Sequence, residues 1–211
     1  MHEIPSDVNR LIDFESLGSN CEFGFVQRHA GVEPGGLLRW AISPPQALAE
    51  CIRNSFESIY KFENLFPSAP RMVKDNGSGL AFHTRMYSTD GNFDISDLEE
   101  RKKIWIEESG KVFYLRDKLN SLLSSGEKTF VYKRNEGISR ADLGNIGAAI
   151  SERGPGRLLY VELDPDRKPG SVYRYGDNIL IGVIDAFAPY SAANNASYDV
   201  WNEILSNAAD L

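Results

Sequence analysis

Cysteine and histidine are scarce in this chain of 211 residues. It has two cysteines, Cys21 and Cys51, and three histidines, His2, His29 and His83. Two cysteines cannot build a disulfide framework and no C-x-x-C motif occurs, so the sequence favours the reducing cytosol. The five residues also lack the close spacing of zinc ligands, and no phosphate-binding loop is present. We therefore expect neither a metal nor a cofactor.

Long apolar runs and an excess of positive charge are missing as well. No stretch reaches the ~18 apolar residues that a membrane span needs. The first residues lack the basic start and apolar core of a signal peptide. The formal net charge of −7 argues against non-specific binding to nucleic acid or to anionic membranes. These absences predict a cytoplasmic protein with no membrane span and no nucleic-acid partner, and the sequence carries no indication of oligomeric state.

Helical and strand patterns alternate along most of the chain. Apolar spacing predicts helices over 20–31, 44–60, 97–126, 139–154 and 195–211, the third with a break near Gly110. Strands are predicted over 10–18, 71–75, 79–87, 127–133 and 156–164, with a hairpin over 171–187 that turns at "YGDN". This order predicts an α+β (mixed α/β) fold, with a mixed sheet flanked by helices, in one domain spanning 1–211.

Cys21 lies near the start of a predicted helix in "FESLGSNCEFGFVQRHAG" (14–31). Ser19 or Asn20 can serve as the N-cap, which places Cys21 in the first turn. Unpaired backbone N–H groups and the helix dipole stabilise a thiolate there. The same N–H groups, with the Asn20 side chain as a second donor, suit an oxyanion. The alternative is that Cys21 is a small buried apolar residue, and the carboxylate of Glu22 opposes a low thiol pKa.

A nucleophilic cysteine needs a base, which is most often a histidine. His29 follows Cys21 by eight residues, about 12 Å along a helix, and therefore cannot reach it. His2 lies in a terminus that we expect to fray. His83 is the only histidine in a predicted rigid element, and a cysteine at a helix start with a distant histidine is the arrangement of cysteine acyl-transfer enzymes. A structural role for His83 stays open, and Cys51 lies on the apolar stripe of a helix, where a structural role is expected.

The segment "SLGSNCEFGFVQRHAGVEPGGLLRWAIS" (16–43) resembles the start of a bacterial family of unknown function whose members are described as papain-like cysteine peptidases. "SLGSNC" matches the Ser-Leu-Gly-x-x-Cys opening, "LLRW" matches a short segment that ends in tryptophan, and "LAFH" (80–83) matches a later strand that carries a histidine. The closest similarity is to an alphaproteobacterial branch often encoded near polysaccharide genes. It is strong over 16–43, fair around 75–135 and weak in the last third.

The resemblance implies a papain-like core with Cys21 as nucleophile and His83 as base. It implies an acyl-transfer enzyme (a peptidase, amidase or acyltransferase) that acts on a peptide, amide or glycan-linked small substrate. Many relatives have an acidic residue where this chain has Arg39, and Asp where it has Thr84. These departures favour an alternative, a catalytically inactive binding module that acts in surface-polysaccharide or glycan assembly.

Two further features of the site are expected. Arg39 and Trp40 lie in a Gly- and Pro-flanked segment that could line a substrate pocket. A third group would orient the histidine, and both Asp94 and Asn135 are candidates for it.

Overall fold

The computed structural model describes residues 11–211 of the chain. His2 and the first residue of the earliest predicted strand lie outside this range. Within it, no helix combines the length and the apolar character that crossing a membrane would require.

A five-stranded sheet forms the centre of the molecule. Its strands are β1 (Phe14–Ser16), β7 (Thr129–Lys133), β8 (Arg157–Leu163), β9 (Val172–Arg174) and β10 (Ile179–Ile184). They lie in the order β1, β7, β8, β10, β9, and every neighbouring pair is parallel except β10 with β9, which is the predicted hairpin. Parallel strands in a sheet covered on both faces have continuous apolar sequences. β7 and β10 show this, since all of their residues are buried.

Helices cover both faces of this sheet. Successive side chains of a strand point to opposite faces, so Phe130 and Tyr132 pack into one apolar cluster while Val131 packs into the other. The first cluster includes residues of α2 (Pro45–Arg53), α3 (Leu98–Ser125) and α4 (Arg140–Arg153), and the second includes residues of α1 (Glu22–His29) and α5 (Tyr198–Ala209). The predicted mixed α/β class is therefore confirmed, whereas a papain-like core stays a prediction.

Smaller antiparallel sheets extend the fold between α2 and α3. One has three strands, β2 (Leu65–Ala69), β3 (Met72–Asp75) and β4 (Ala81–His83); the other pairs β5 (Ser88–Thr89) with β6 (Asn92–Phe93). A bridge between Ile42 and Ala81 ties β4 to the segment after Trp40. This bridge brings the strand that ends in His83 towards the N-terminal part of the chain.

Several element boundaries differ from the sequence predictions. The 44–60 helix ends at Arg53, because Ser55 and Phe56 adopt left-handed backbone angles and Phe56 turns into the core. The 97–126 region is one continuous helix, with no break at Gly110. The 79–87 strand is only three residues long, so His83 ends it instead of lying at its middle.

Candidate active site

A tight strand–turn–helix connection presents Cys21 at the carboxyl end of β1. Gly18 adopts φ +83°, and a Cβ there would lie 2.8 Å from Ser43 Oγ, so only glycine fits this turn. Ser19 also has a positive φ, of 69°. Cys21 is itself the N-cap residue of α1, one position earlier than the first turn predicted from the sequence. Ligands commonly bind beyond the carboxyl ends of parallel strands, which is where this thiol lies.

Cys21 and His83 meet although 62 residues separate them in the sequence. The distance from Cys21 Sγ to His83 Nε2 is 3.7 Å, within the range of a hydrogen bond that involves sulfur. Cys21 is half-buried and His83 is exposed, so the pair is open to a ligand from one side. The structure thus brings together the two residues that sequence reasoning selected as nucleophile and base.

The surroundings of the thiol favour its protonated form at rest. Burial raises the pKa of the Cys21 thiol above its usual value, while the positive charge of Lys133 acts in the opposite direction. At neutral pH the group is therefore a thiol, and a base must accept its proton before the sulfur can attack. His83 Nε2 is placed to do so.

A buried ion pair lies beneath the thiol. Lys133 Nζ donates to Glu22 Oε2 at 2.6 Å, and the two side chains are 1% and 0% exposed. Glu22 also accepts hydrogen bonds from Trp201 Nε1 at 2.9 Å and from the Ala188 backbone N–H at 3.2 Å. This carboxylate is fully partnered, which is the condition for a stable charge in the core. It links α1 to β7, to α5 and to the loop after β10.

Asn20 and Asn135 form the next layer of polar contacts. Asn20 Oδ1 accepts a hydrogen bond from the Glu22 backbone N–H at 2.9 Å, and its Nδ2 lies 3.4 Å from Asn135 Oδ1. Asn135 Oδ1 also accepts a bond from Lys133 Nζ at 2.6 Å, and its Nδ2 donates to the Ala188 carbonyl at 2.8 Å. Asn20 is therefore held in one orientation beside the nucleophile.

The residues that follow His83 are anchored to α3. Thr84 Oγ1 donates to Glu108 Oε2 at 2.8 Å, and the Arg85 backbone N–H donates to Glu108 Oε1 at 2.8 Å. Glu108 also accepts a bond from the Tyr60 hydroxyl at 2.8 Å. Thr84, one of the departures from the family pattern, thus helps to fix the end of β4.

Neither proposed third member contacts the imidazole. Asn135 bonds to Asn20, Lys133 and Ala188, and Asp94 is recorded only through its backbone N–H to Tyr87. Across residues 11–211, the contact with Cys21 is the only hydrogen bond recorded for the His83 ring.

A cavity of about 660 Å³ has His83, but not Cys21, among its lining residues. This volume is in the usual range for small-molecule sites. Trp40 lines the cavity and lies against α1 at Gly24, where a Cβ would come within 2.8 Å of the indole. Arg39 also lines it and is buried, with its guanidinium donating to the Gly24 carbonyl at 2.8 Å and to Glu33 at 2.5 Å. Both residues predicted for a pocket are therefore found in one.

Lys133, the buried cation beside the thiol, was not among the residues predicted for the site. The Glu22 carboxylate, expected to oppose a low thiol pKa, is paired with this lysine. A lysine at the end of the apolar run "TFVYK" was the visible signal. The pairing itself requires knowing that β7 lies beside β1, which spacing along the chain does not reveal.

The remaining cysteine and histidine lie away from this chemistry. Cys51 is buried, with a pKa raised to about 12 by burial and by Asp75 and Glu50, and its Sγ faces the Ser78 carbonyl at 3.6 Å. His29 stacks on Tyr198 with ring centroids 3.9 Å apart.

Comparison of the chain with protein-family models, with curated proteins and with solved structures found no match.

Proposed function

We propose that the chain is a cysteine-dependent acyl-transfer enzyme, a peptidase, amidase or acyltransferase with a papain-like catalytic arrangement. Cys21 is the nucleophile and His83 is the general base. The observation that carries the proposal is the 3.7 Å distance between Cys21 Sγ and His83 Nε2. Nucleophile and base within hydrogen-bond reach, in slightly loose geometry without substrate, is the signature of this chemistry.

The reaction proceeds in two halves. The Cys21 proton moves to His83 Nε2 as the sulfur bonds to the substrate carbonyl carbon, and the carbonyl oxygen becomes an oxyanion. The Cys21 backbone N–H and Asn20 Nδ2 hold that oxyanion. The imidazolium returns the proton to the leaving group as the carbon–leaving-group bond breaks, which leaves a thioester on Cys21. Water, an amine or a hydroxyl then attacks the thioester, with His83 again accepting the proton, and the thiol is regenerated.

The proposal also covers the class of substrate and the cellular compartment in which the enzyme acts. We infer a peptide, amide or glycan-linked small molecule with a reactive acyl carbon, because a cavity of about 660 Å³ with the Trp40 indole in its wall can hold one. Both cysteines of the chain are free thiols, which fits a cytoplasmic setting.

A non-catalytic binding module is the second candidate. It is favoured by the absence, within the described residues, of a hydrogen-bond partner that would orient the His83 ring. Arg39 and Thr84, the two departures from the family pattern, favour it as well. In this reading the cavity binds a sugar or glycan fragment without turnover.

Trapping an acyl-enzyme separates the two candidates. We expect p-nitrophenyl acetate to deposit one acetyl group per chain on Cys21, found by acid quench, intact-mass measurement and peptide mapping. Cys51→Ser should be acetylated at the same rate as the wild type, because the Cys51 thiol is buried. His83→Ala should acylate about 100-fold more slowly, the loss expected on removing a general base.

Acetylation of Cys21 at the same rate with and without His83 would contradict the assigned base. A chain that never forms the thioester, yet binds glycans in a thermal-shift screen, would support the binding module.

A further inference from the structure

The cavity that has His83 in its wall is lined by one more cationic than anionic side chain. Four cationic residues (Arg28, Arg39, Arg85 and Lys111) and three anionic ones (Glu33, Glu107 and Glu108) line it. This excess lies on a chain whose formal net charge is −7, so it does not simply reflect the composition.

The three arginines use all three glutamates. Arg28 and Arg39 both pair with Glu33, the latter at 2.5 Å. Arg85 pairs with Glu107 at 2.6 Å and with Glu108 at 3.5 Å. Two arginines thus share Glu33, whereas Glu107 and Glu108 share one arginine.

Lys111 is an exposed residue of α3, one turn after Glu107 and Glu108. Its ammonium group forms no hydrogen bond or ion pair within residues 11–211, which distinguishes it from the three arginines of the lining. A second donor near the cavity is also unused, since Arg39 Nε is buried and has no hydrogen-bond partner. Apolar side chains, including Phe82, Val112 and Leu115, complete the lining.

We propose that this cavity takes a substrate that carries a carboxylate at a distance from its reacting carbonyl, with Lys111 as the residue that binds the carboxylate and so determines specificity. This inference rests on the proposed function, because it assigns the cavity to the substrate of the Cys21–His83 pair. Charged and polar groups at defined points of a largely apolar pocket are the usual basis of ligand selection.

Matched alkylating probes test the assignment. Chloroacetylated ω-amino acids of increasing chain length carry the carboxylate, and their amides are the neutral controls. In each reaction the Cys21 sulfur bonds to the CH2 carbon that carries the chlorine, chloride leaves and the thiol proton passes to His83. At one chain length we expect the carboxylate to label Cys21 about fivefold faster than its amide, the ratio for an exposed ion pair. This advantage should shrink as ionic strength rises.

Variants of α3 test whether Lys111 supplies the positive charge that favours the carboxylate probe. Lys111→Gln should abolish the advantage of the carboxylate, and Lys111→Glu should reverse it. Lys103→Gln should retain it, because Lys103 is an exposed lysine of the same helix that does not line the cavity. Equal labelling by both probes at every length, while His83→Ala still slows the amide, would overturn this inference and leave the proposed function intact.

Equilibrium binding provides a test that needs no reactive thiol. The N-acetyl analogues of the same compounds can be titrated into Cys21→Ser by ligand-observed NMR. We expect the carboxylate to bind about fivefold more tightly than the amide, with the difference lost in Cys21→Ser/Lys111→Gln. Equal affinities for the carboxylate and the amide would contradict the assignment, even if the probes alkylate no residue of the wild-type protein.

Discussion

Among single residues, Lys133 connects the interior of the sheet to the Cys21 sulfur. Its ammonium is paired with Glu22 and donates to Asn135, and its charge lowers the pKa of Cys21 against the effect of burial. In the proposed reaction Lys133 would not touch the reacting atoms. We infer a positioning role for it, through its charge and through the orientation of Asn20 and Asn135.

Lys133→Met should slow alkylation of Cys21 and shift its pH–rate profile to higher pH, because the thiolate loses a nearby positive charge. The same change leaves Glu22 buried without its partner, which should lower the free energy of unfolding by about 3–5 kcal/mol. Denaturant titration and the alkylation profile measure the two effects. Lys128→Met, which changes a half-buried lysine just before the same strand that pairs with Asp13, should leave the profile unchanged.

The double variant Glu22→Gln/Lys133→Met keeps this prediction testable if the single variant does not fold. It removes both charges and should recover most of the lost stability. An alkylation profile for Lys133→Met that coincides with the wild-type profile would show that Lys133 has only a structural role.

At the scale of elements, the site forms where strands end. Cys21 follows β1, Asn135 follows β7 and Ala188 follows β10, and hydrogen bonds through Glu22 and Asn135 connect these ends. His83 ends β4 of the three-stranded sheet, which the Ile42–Ala81 bridge holds against the segment after Trp40. The contact between Cys21 and His83 therefore depends on how the three-stranded sheet is held against the segment after Trp40.

The sequence predicted most elements because their signals are local. α4 begins where Ser139 accepts a hydrogen bond from the Asp142 backbone N–H, and α3 ends at Gly126 in the left-handed conformation. Gly110 indicates a break in the helix because of its low helix propensity, but a glycine in a helix costs only about 1 kcal/mol. The burial of Leu119 and Leu123 further along α3 outweighs that cost.

The features that were not predicted depend on contacts between distant parts of the chain. The end of α2 at Arg53 is determined by Phe56 and Tyr60, which turn into the core, and Tyr60 donates its backbone N–H to Asp75. The pairing of Lys133 with Glu22 spans 111 residues. The candidates Cys21 and His83 could be selected because so few cysteines and histidines are present.

At the scale of the whole molecule, Glu15 makes stability depend on pH. This buried carboxyl of β1 has its pKa raised from 4.5 to about 7, chiefly by burial, against the charges of Lys118, Lys128 and Arg39. The folded state therefore holds a proton that the unfolded chain releases near pH 4.5. Its contribution to stability is complete below that pH and is lost as the pH rises through about 7.

Glu15→Gln should remove this dependence. Between pH 5 and pH 8.5 we expect the wild type to lose up to about 3 kcal/mol of unfolding free energy relative to the variant. Denaturant titrations across that range measure the difference, and the exposed Glu57→Gln is the matched control. Parallel pH profiles for the wild type and Glu15→Gln would show that burial of this carboxyl does not shift its pKa.

The central claim is that the fold makes Cys21 a nucleophile by placing His83 against it. The most direct test is the rate at which iodoacetamide alkylates each cysteine at neutral pH, followed by peptide mapping in the wild type and in His83→Ala. We expect Cys21 to react at least about tenfold faster than Cys51, and His83→Ala to remove most of this advantage. Alkylation of Cys21 no faster than Cys51, or at a rate that His83→Ala leaves unchanged, would contradict it.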